Sequence, residues 1–297
     1  MNNGIQSVEV RHYRLDPAEA ELRITVVPEQ PAEGLEIRGR LMGPRCAYSN
    51  TIEVAYPLRP LVRGSDEPGG LVKRVLIPEP SFWEPSCPFL YEGPLELWQG
   101  NDRLAQLHLS HGLRTFKMRP RGLLLNGNPL ALNGVVRDRL DAPDAAALRQ
   151  GGVDAVLTVL SESFDLWDQS DRLGFLAVAR VGSTNEELLT SAARQLNGRA
   201  SHLGWLLPQD LLAKKQSWQI ALSLLQPAGR PFVGVELTRV PSGPLPAQVS
   251  FVACEEALLP ALKEFELPKL VLRREASRNG DQERFTSGLG ILGTIHV

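Results

Sequence analysis

The first 120 residues carry short segments in which apolar and polar positions alternate. A period of two buries one face of a strand and leaves the other face in water, which is typical of antiparallel sheets. Prolines separate the segments and favour turns and edges, because proline cannot donate to a sheet ladder. The pattern therefore predicts a β-sandwich over residues 1–120. The predicted strands are 21–27, 35–41, 72–77, 95–98 and 104–109.

From residue 121 onwards, apolar strands alternate with amphipathic helices. The predicted strands are 130–136, 155–160, 175–181, 203–207, 231–237, 249–254, 270–272 and 289–297. The predicted helices are 144–149, 163–173, 185–196, 211–224 and 255–265. Eight strands joined by helical crossovers predict a closed parallel β/α barrel of the TIM type over residues 121–297. Such barrels usually take about 250 residues and about 175 remain here, so we expect a compact or incomplete barrel that lacks some helices.

Asn126-Gly127 is a strong signal for a hairpin turn. Both residues tolerate a positive φ, and apolar runs that can pair flank them on both sides. We expect this hairpin to lie between the two domains and to seal the floor of the barrel.

Charge and hydropathy limit the partners and the location that we expect for this protein. The 32 Lys and Arg against 34 Asp and Glu give a formal charge of -2, so nucleic acid is not an expected partner. Residues 1–14 lack the apolar stretch of a signal peptide, and no run of about 18 apolar residues follows. We therefore expect a cytoplasmic protein without a membrane partner, with secretion left open.

No metal and no cofactor are expected. The three cysteines, Cys46, Cys87 and Cys254, show no CxxC spacing and no clustered histidines accompany them. The glycine-rich Gly288-Leu-Gly290 lacks the Lys-Ser/Thr that completes a phosphate-binding loop. Gly182-Ser-Thr-Asn-Glu186 is interpreted as a helix N-cap, because Asn and Ser accept hydrogen bonds from the first turn of a helix.

Several motifs in order resemble family 2 glycoside hydrolases, the group of β-galactosidases, β-glucuronidases and β-mannosidases. The resemblance covers roughly residues 45–210 and implies that the sandwich is immunoglobulin-like and leads into a catalytic-type barrel. The motifs are Trp83-Glu-Pro-Ser-Cys-Pro-Phe-Leu-Tyr91, Gly112-Leu-Arg, Leu125-Asn-Gly-Asn-Pro129, Asn133-Gly-Val-Val-Arg137, Val153-Asp-Ala-Val156 and Asp171-Arg-Leu-Gly-Phe175.

The resemblance also implies where catalytic groups would lie. Retaining hydrolases of this kind use two carboxyl groups about 5 to 5.5 Å apart at the carboxyl ends of barrel strands. The family's Asn-Glu pair after the fourth strand corresponds to Gln209 and Asp210, in the segment that begins at Trp205. The family's nucleophile, after the seventh strand, corresponds to Arg274, with Glu275 one residue later. A slip of one residue turns a strand side chain to the opposite face.

Two further residues complete the candidate site. Arg137 matches the arginine that ends the family's first barrel strand, although the polar residues that flank it in the family are replaced here. Glu236 ends the fifth predicted strand, so a carboxylate pair could also be formed from Asp210 and Glu236. Arg137, Trp205, Gln209 and Glu236 are therefore the predicted carbohydrate-binding residues.

These observations lead to two function hypotheses. The favoured hypothesis is a catalytically degenerate glycoside-hydrolase-like protein that acts as a carbohydrate-binding or assembly module. The alternative is an active retaining β-glycosidase that hydrolyses O-glycosyl bonds with Asp210 as acid/base and Glu275 as nucleophile. A third possibility, a purely structural interaction protein with no affinity for sugar, also stays open. The sequence does not decide the sugar, the linkage, any protein partner or the oligomeric state.

Overall fold

The computed structural model of the chain describes residues 4–61, 70–120, 122–161, 163–226, 231–274 and 290–297. The chain divides into two compact units, Met1–Leu113 and Arg114–Val297. Among the described residues, no helix is both long and apolar enough to cross a membrane.

The first unit is a sandwich of two antiparallel sheets. One sheet has the order β1-β2-β6-β5 and the other the order β4-β3-β7-β8. The strands are β1 (Ile5–Leu15), β2 (Glu19–Pro28), β3 (Leu35–Arg45), β4 (Val54–Pro57), β5 (Arg59–Pro60), β6 (Leu71–Pro78), β7 (Leu90–Gln99) and β8 (Asp102–His111). All five strands predicted in this half are present, so the predicted sandwich is confirmed.

Every second side chain along the strands contributes to the sandwich core. In β2, Ala20, Leu22, Ile24 and Val26 are all fully buried, while the residues between them are partly exposed. These side chains pack with apolar residues of the other sheet, such as Leu95. Period-two alternation therefore decides which face of each strand enters the core.

The second unit begins with a small antiparallel sheet that contains the predicted hairpin. Its strands are β9 (Phe116–Arg119), β10 (Gly122–Leu125) and β11 (Asn128–Leu130), in the order β11-β10-β9. The turn residues Asn126 and Gly127 have φ values of 51° and 86°, as predicted for this dipeptide. The carbonyl of Pro120 lies against Gly290, which precedes the last barrel strand, so this sheet adjoins the amino-terminal end of the barrel.

Eight parallel strands then close into a barrel, which confirms the predicted architecture. They are β12 (Leu132–Val136), β13 (Ala155–Val159), β14 (Leu176–Arg180), β15 (His202–Pro208), β16 (Phe232–Leu237), β17 (Val249–Glu255), β18 (Lys269–Arg273) and β19 (Ile291–His296). The first and last strands pair in parallel, with Leu132 opposite Gly293 and Val135 opposite His296. Every predicted barrel strand matches one of these strands to within two residues at each end.

The helical layer is incomplete, as the short chain predicted. The α-helices are α1 (Ala142–Gln150), α2 (Asp165–Leu173), α3 (Glu186–Leu196) and α4 (Lys215–Leu225). Residues 238–248, between β16 and β17, contain no helix. The helix predicted over 255–265 is wrong in type, because Glu256–Leu262 forms a 3-10 helix that contains Pro260. Proline removes an α-helical hydrogen bond and clashes with the preceding turn.

One hydrophobic cluster fills the space between the barrel strands and the helices. It joins Trp167 of α2, Leu189 of α3 and Trp218 of α4 to Trp205 and other strand residues. The fourth barrel strand, β15, therefore packs against the helices through Trp205. This packing positions the residues that follow the strand.

Two residues of the family-like motifs, Arg114 and Asp171, take part in a polar network at the start of β15. We call Arg114, Asp171, Arg199, Ser201 and His202 the strand-four network. Arg114 donates from Nε to the Ala200 carbonyl and from Nη2 to the Arg199 carbonyl, each at 2.6 Å. Asp171 accepts from the Ser201 backbone N–H at 2.7 Å and from Arg199 at 3.3 Å. The motifs that carried the resemblance thus support the barrel at the end opposite to its mouth.

Candidate functional site

A cavity of about 330 Å³ lies at the carboxyl ends of four neighbouring barrel strands, β13, β14, β15 and β16. This is the end at which parallel barrels place their ligand sites. Its lining residues are Val159, Arg180, Val181, Gly182, Pro208, Gln209, Asp210, Glu236 and Thr238. Three of the residues predicted from sequence, Gln209, Asp210 and Glu236, are therefore brought together here.

An ion pair spans the cavity from β14 to β16. Arg180 donates from Nε to Glu236 Oε2 at 2.6 Å, and its Nη2 bonds Glu236 Oε1. The Glu236 side chain is 15% exposed and the Arg180 side chain is 40% exposed, so the carboxylate lies deeper than the guanidinium. Two parallel bonds fix both groups in one plane.

Gln209 is a positioning residue for the loop after β16. Its Oε1 accepts from the backbone N–H of Thr238 at 2.9 Å and from that of Arg239 at 3.1 Å. Its Nε2 donates to the Arg239 carbonyl at 3.0 Å. The amide is consequently engaged with main-chain groups, although the residue lines the cavity.

Asp210 projects from the first turn of a 3-10 helix, Gln209–Ala213, that directly follows β15. Its side chain is 82% exposed and lies 3.6 Å from the guanidinium of Arg239, which is 71% exposed. Because β15 ends at Pro208, Asp210 stands at the rim of the cavity in contact with solvent.

Trp205 and Arg137, also predicted to bind carbohydrate, are not among the residues that line this cavity. Trp205 is fully buried, and its ring stacks edge-on against His202 with centroids 4.5 Å apart. The alternation along β15 turns this indole towards the helices, where it has no surface to offer a sugar. Arg137 is exposed, and its Nη1 donates to the neighbouring Val136 carbonyl at 2.8 Å.

Further arginine–carboxylate pairs lie at the carboxyl ends of β17 and β18. Arg273 donates to both carboxylate oxygens of Glu256, each at 3.0 Å. Arg274, at the position implied for a nucleophile, donates to Glu255 at 2.6 Å and is 79% exposed. Glu275, the alternative nucleophile, lies outside the described residues.

Sequence reasoning missed Arg180 as a member of the site. The signal was nevertheless present, because Arg180 is a charged residue that ends an apolar strand, Leu176–Arg180. Glu236 was selected on that same signal. A single sequence does not reveal that the two side chains meet, since 56 residues separate them.

The site can bind polar ligands through a guanidinium, two carboxylates and the hydroxyl of Thr238, with Val159 and Pro208 as apolar contacts. Among the described residues, no group of three or more His, Cys, Asp or Glu side chains is arranged to hold a metal ion.

Of the comparisons with known proteins, only the one with solved structures found matches. No family model matches the chain, and no curated protein matches it. The solved β-glucuronidase of Bacteroides uniformis is 16% identical, with a TM-score of 0.71 over 99% of this chain and 46% of its own. A glycosyl hydrolase family 2 member from Bacteroides cellulosilyticus is 13% identical, with a TM-score of 0.71 over 99% of this chain and 44% of its own. A putative β-galactosidase from Bacteroides fragilis is 14% identical, with a TM-score of 0.69 over 99% of this chain and 56% of its own.

These similarities confirm, at the level of the fold, the resemblance to family 2 glycoside hydrolases. The chain spans about half the length of the solved structures it matches. At identities of 13–16%, the shared feature is the order of sandwich and barrel.

Proposed function

We propose that this chain is a catalytically degenerate glycoside-hydrolase-like protein that binds carbohydrate in the cavity at the barrel mouth. The observation that carries the proposal is the bidentate pair between Arg180 and Glu236. It engages both oxygens of the most deeply placed carboxylate in the cavity, and the positive charge of the guanidinium makes that carboxylate a weaker nucleophile.

The surroundings of Asp210 support the same conclusion. A general acid has to carry a proton until the leaving oxygen takes it, and enzymes favour that state by burial away from cations. Asp210 is 82% exposed and has Arg239 as its neighbour. Asp210 therefore lacks the enclosed surroundings, remote from cations, that such an acid needs. Asp is also one methylene shorter than the Glu that the family uses, and a displacement of about 1 Å can cost on the order of a hundredfold in rate.

Carbohydrate binding is favoured over assembly with another protein because the site is concave. The cavity volume of about 330 Å³ falls within the range of small-molecule sites. Its lining combines charged and amide groups with Val159 and Pro208, a mixture that suits a ligand with hydroxyl groups and an apolar ring face.

The alternative function is an active retaining β-glycosidase with Asp210 as acid/base and Glu275 as nucleophile. The position of Asp210 at the end of the fourth barrel strand and in the cavity lining favours it. This mechanism requires the two carboxyl groups to stand about 5 Å apart.

Release of nitrophenol from a panel of aryl β-glycosides distinguishes the two functions. We expect the wild-type chain to give the same background rate as Asp210→Asn and Glu275→Gln, because Glu236 is paired with Arg180 and Asp210 is exposed beside Arg239. Calorimetry with neutral oligosaccharides is expected to detect binding in the wild type and in both variants. Wild-type turnover that both substitutions abolish would show that the chain is an active glycosidase.

A further inference from the structure

The Arg180–Glu236 pair also bears on which sugars the cavity accepts. Arg180 uses Nε and Nη2 on Glu236, and its Nη1 has no hydrogen-bond partner among the described residues. Planar, bidentate binding of a carboxylate is the interaction for which guanidinium is best suited. Glu236 therefore already occupies the edge of Arg180 that would otherwise receive a carboxylate ligand.

The charges of the side chains that line the cavity also disfavour an anionic sugar. The ionisable residues that line the cavity are Arg180, Asp210 and Glu236, which are one cation and two anions. A uronic acid that enters would meet the carboxylate of Asp210, which lies 3.6 Å from the exposed Arg239, and no uncompensated cation in the lining, because Arg180 and Glu236 neutralise each other. A neutral sugar meets no such repulsion, because its hydroxyls can donate to Glu236 and accept from Arg180 Nη1.

We propose that Glu236 determines specificity by masking Arg180, so that the cavity selects neutral sugars and excludes uronic acids. The selectivity of the wild type rests on the proposed carbohydrate-binding function. The masking of Arg180 by Glu236 does not depend on that function, because the binding of any small carboxylate would show whether Arg180 is accessible. The fold is shared with β-glucuronidases, so this charge arrangement would separate the chain from the β-glucuronidases among its structural neighbours.

Calorimetric titration with methyl β-D-glucoside and methyl β-D-glucuronide tests the proposal. We expect the wild type to bind the glucoside and to bind the glucuronide at least tenfold more weakly, roughly the effect of one charged hydrogen bond. Glu236→Gln frees the guanidinium, and we expect it to raise affinity for the glucuronide by about 10- to 100-fold. This gain should fall as salt is added, because it depends on charge.

Two controls locate the effect at Arg180. Glu256→Gln makes the same change in another bidentate pair, with Arg273, and neither residue is among those that line the cavity. It is expected to leave glucuronide affinity unchanged. The double variant Arg180→Gln/Glu236→Gln should lose the gain of the single variant. If Glu236→Gln alters packing, seen as a lower Tm, Glu236→Ala repeats the test.

The outcomes separate this inference from the proposed function. Tighter binding of glucuronide than of glucoside by the wild type would overturn the inference and keep carbohydrate binding. A wild type that binds neither sugar would remove carbohydrate binding. In that case, a gain of glucuronide affinity in Glu236→Gln would still support the claim that Glu236 masks Arg180. The absence of such a gain would contradict it.

Discussion

At the scale of single residues, the strand-four network contains a histidine that is held neutral. His202 is 1% exposed and lies between the rings of Trp167 and Trp205. Its Nδ1 is hydrogen-bonded to the Leu196 carbonyl at 3.1 Å. Burial, reinforced by the positive charges of Arg114 and Arg199, lowers the pKa of His202 to about 3.

This shift makes the stability of the protein depend on pH. The unfolded chain takes up a proton on His202 near its ordinary pKa of about 6.5, whereas the folded chain does not do so until about 3. Stability is therefore fully present above about pH 6.5 and is lost as the pH falls through this window. We expect urea unfolding to show a loss of roughly 2 kcal/mol between about pH 7 and about pH 5, measured as wild type minus His202→Asn.

The comparison with a variant is needed because other groups titrate in the same range. Burial raises the pKa of Asp154 to about 6, so that group acts in the opposite direction and gains stability as the pH falls. His108→Asn makes the same substitution at an exposed histidine and serves as the matched control for the change of residue type. Equal slopes for the wild type and His202→Asn would contradict the prediction.

At the scale of elements, local signals decide where helices begin. Asn185 has an extended backbone, with φ of -60° and ψ of 117°, and its side chain accepts hydrogen bonds from the N–H groups of Glu187 and Leu188. This confirms the N-cap that was predicted from the sequence. The first turn of α3 also carries Glu186 and Glu187, whose charges favour the positive end of the helix dipole.

Removal of this cap is expected to weaken the protein measurably. Asn185→Ala leaves two backbone donors of α3 without their partner and should lower the free energy of unfolding by about 1 kcal/mol. Asn185→Asp retains an acceptor oxygen at that position and serves as the matched control. The cap would be unimportant if chemical denaturation gave the same midpoint for the alanine variant as for the wild type.

Most elements were predictable because local periodicity specifies them. Where prediction failed, the local pattern was interrupted. Strands β4, β5 and β9, of two to four residues, are too short to show a period and were not predicted. Strand β1 was not predicted either, and the register of its pairing with β2 shifts between Ile5 and Ser7 and again between His12 and Arg14. Such bulges break strict alternation. The 3-10 helix Glu256–Leu262 was predicted as an α-helix because its apolar spacing suits both, and Pro260 decides between them.

At the scale of the whole molecule, closure of the barrel depends on the seam between β12 and β19. Gly134 of β12 lies on this seam. A Cβ added there would come within 2.3 Å of Ile295 Cδ1 and 2.9 Å of the Ala155 carbonyl oxygen. The Ala155 oxygen belongs to the backbone of β13, so side-chain rotation cannot relieve that contact, whereas Ile295 of β19 could move its side chain. Glycine at this position therefore lets β12 approach both of its neighbours, β13 and β19.

Enlargement of Gly134 should therefore open the seam. We expect Gly134→Val to lower the free energy of unfolding by about 1 to 3 kcal/mol through overpacking. Amide protons of β12 and β19 should lose protection in hydrogen exchange before those of β15. Gly243→Val is the control, because nothing lies within 4 Å of a Cβ at Gly243. Unchanged protection along β12 and β19 would show that the seam tolerates the side chain.

The sequence by itself determined the architecture of this protein. Hydrophobic periodicity is a local property that each segment carries alone, so the five predicted sandwich strands and all eight barrel strands could be identified. The motifs with Trp83, Asn126-Gly127 and Asp171 carried the resemblance, since they serve the framework and tolerate little change in shape.

Only the tertiary structure decided how the side chains of the candidate site are used. Gln209, Asp210 and Glu236 were identified as residues at strand ends, but their partners Arg239 and Arg180 come from other segments of the chain. Trp205 was identified as an aromatic residue near the site, and its packing against His202 places it in the core. Pairing between charges that are distant in sequence depends on three-dimensional proximity, which no local pattern contains. The sequence therefore indicated carboxylates at the carboxyl ends of the barrel strands, but it did not show that arginines form ion pairs with them.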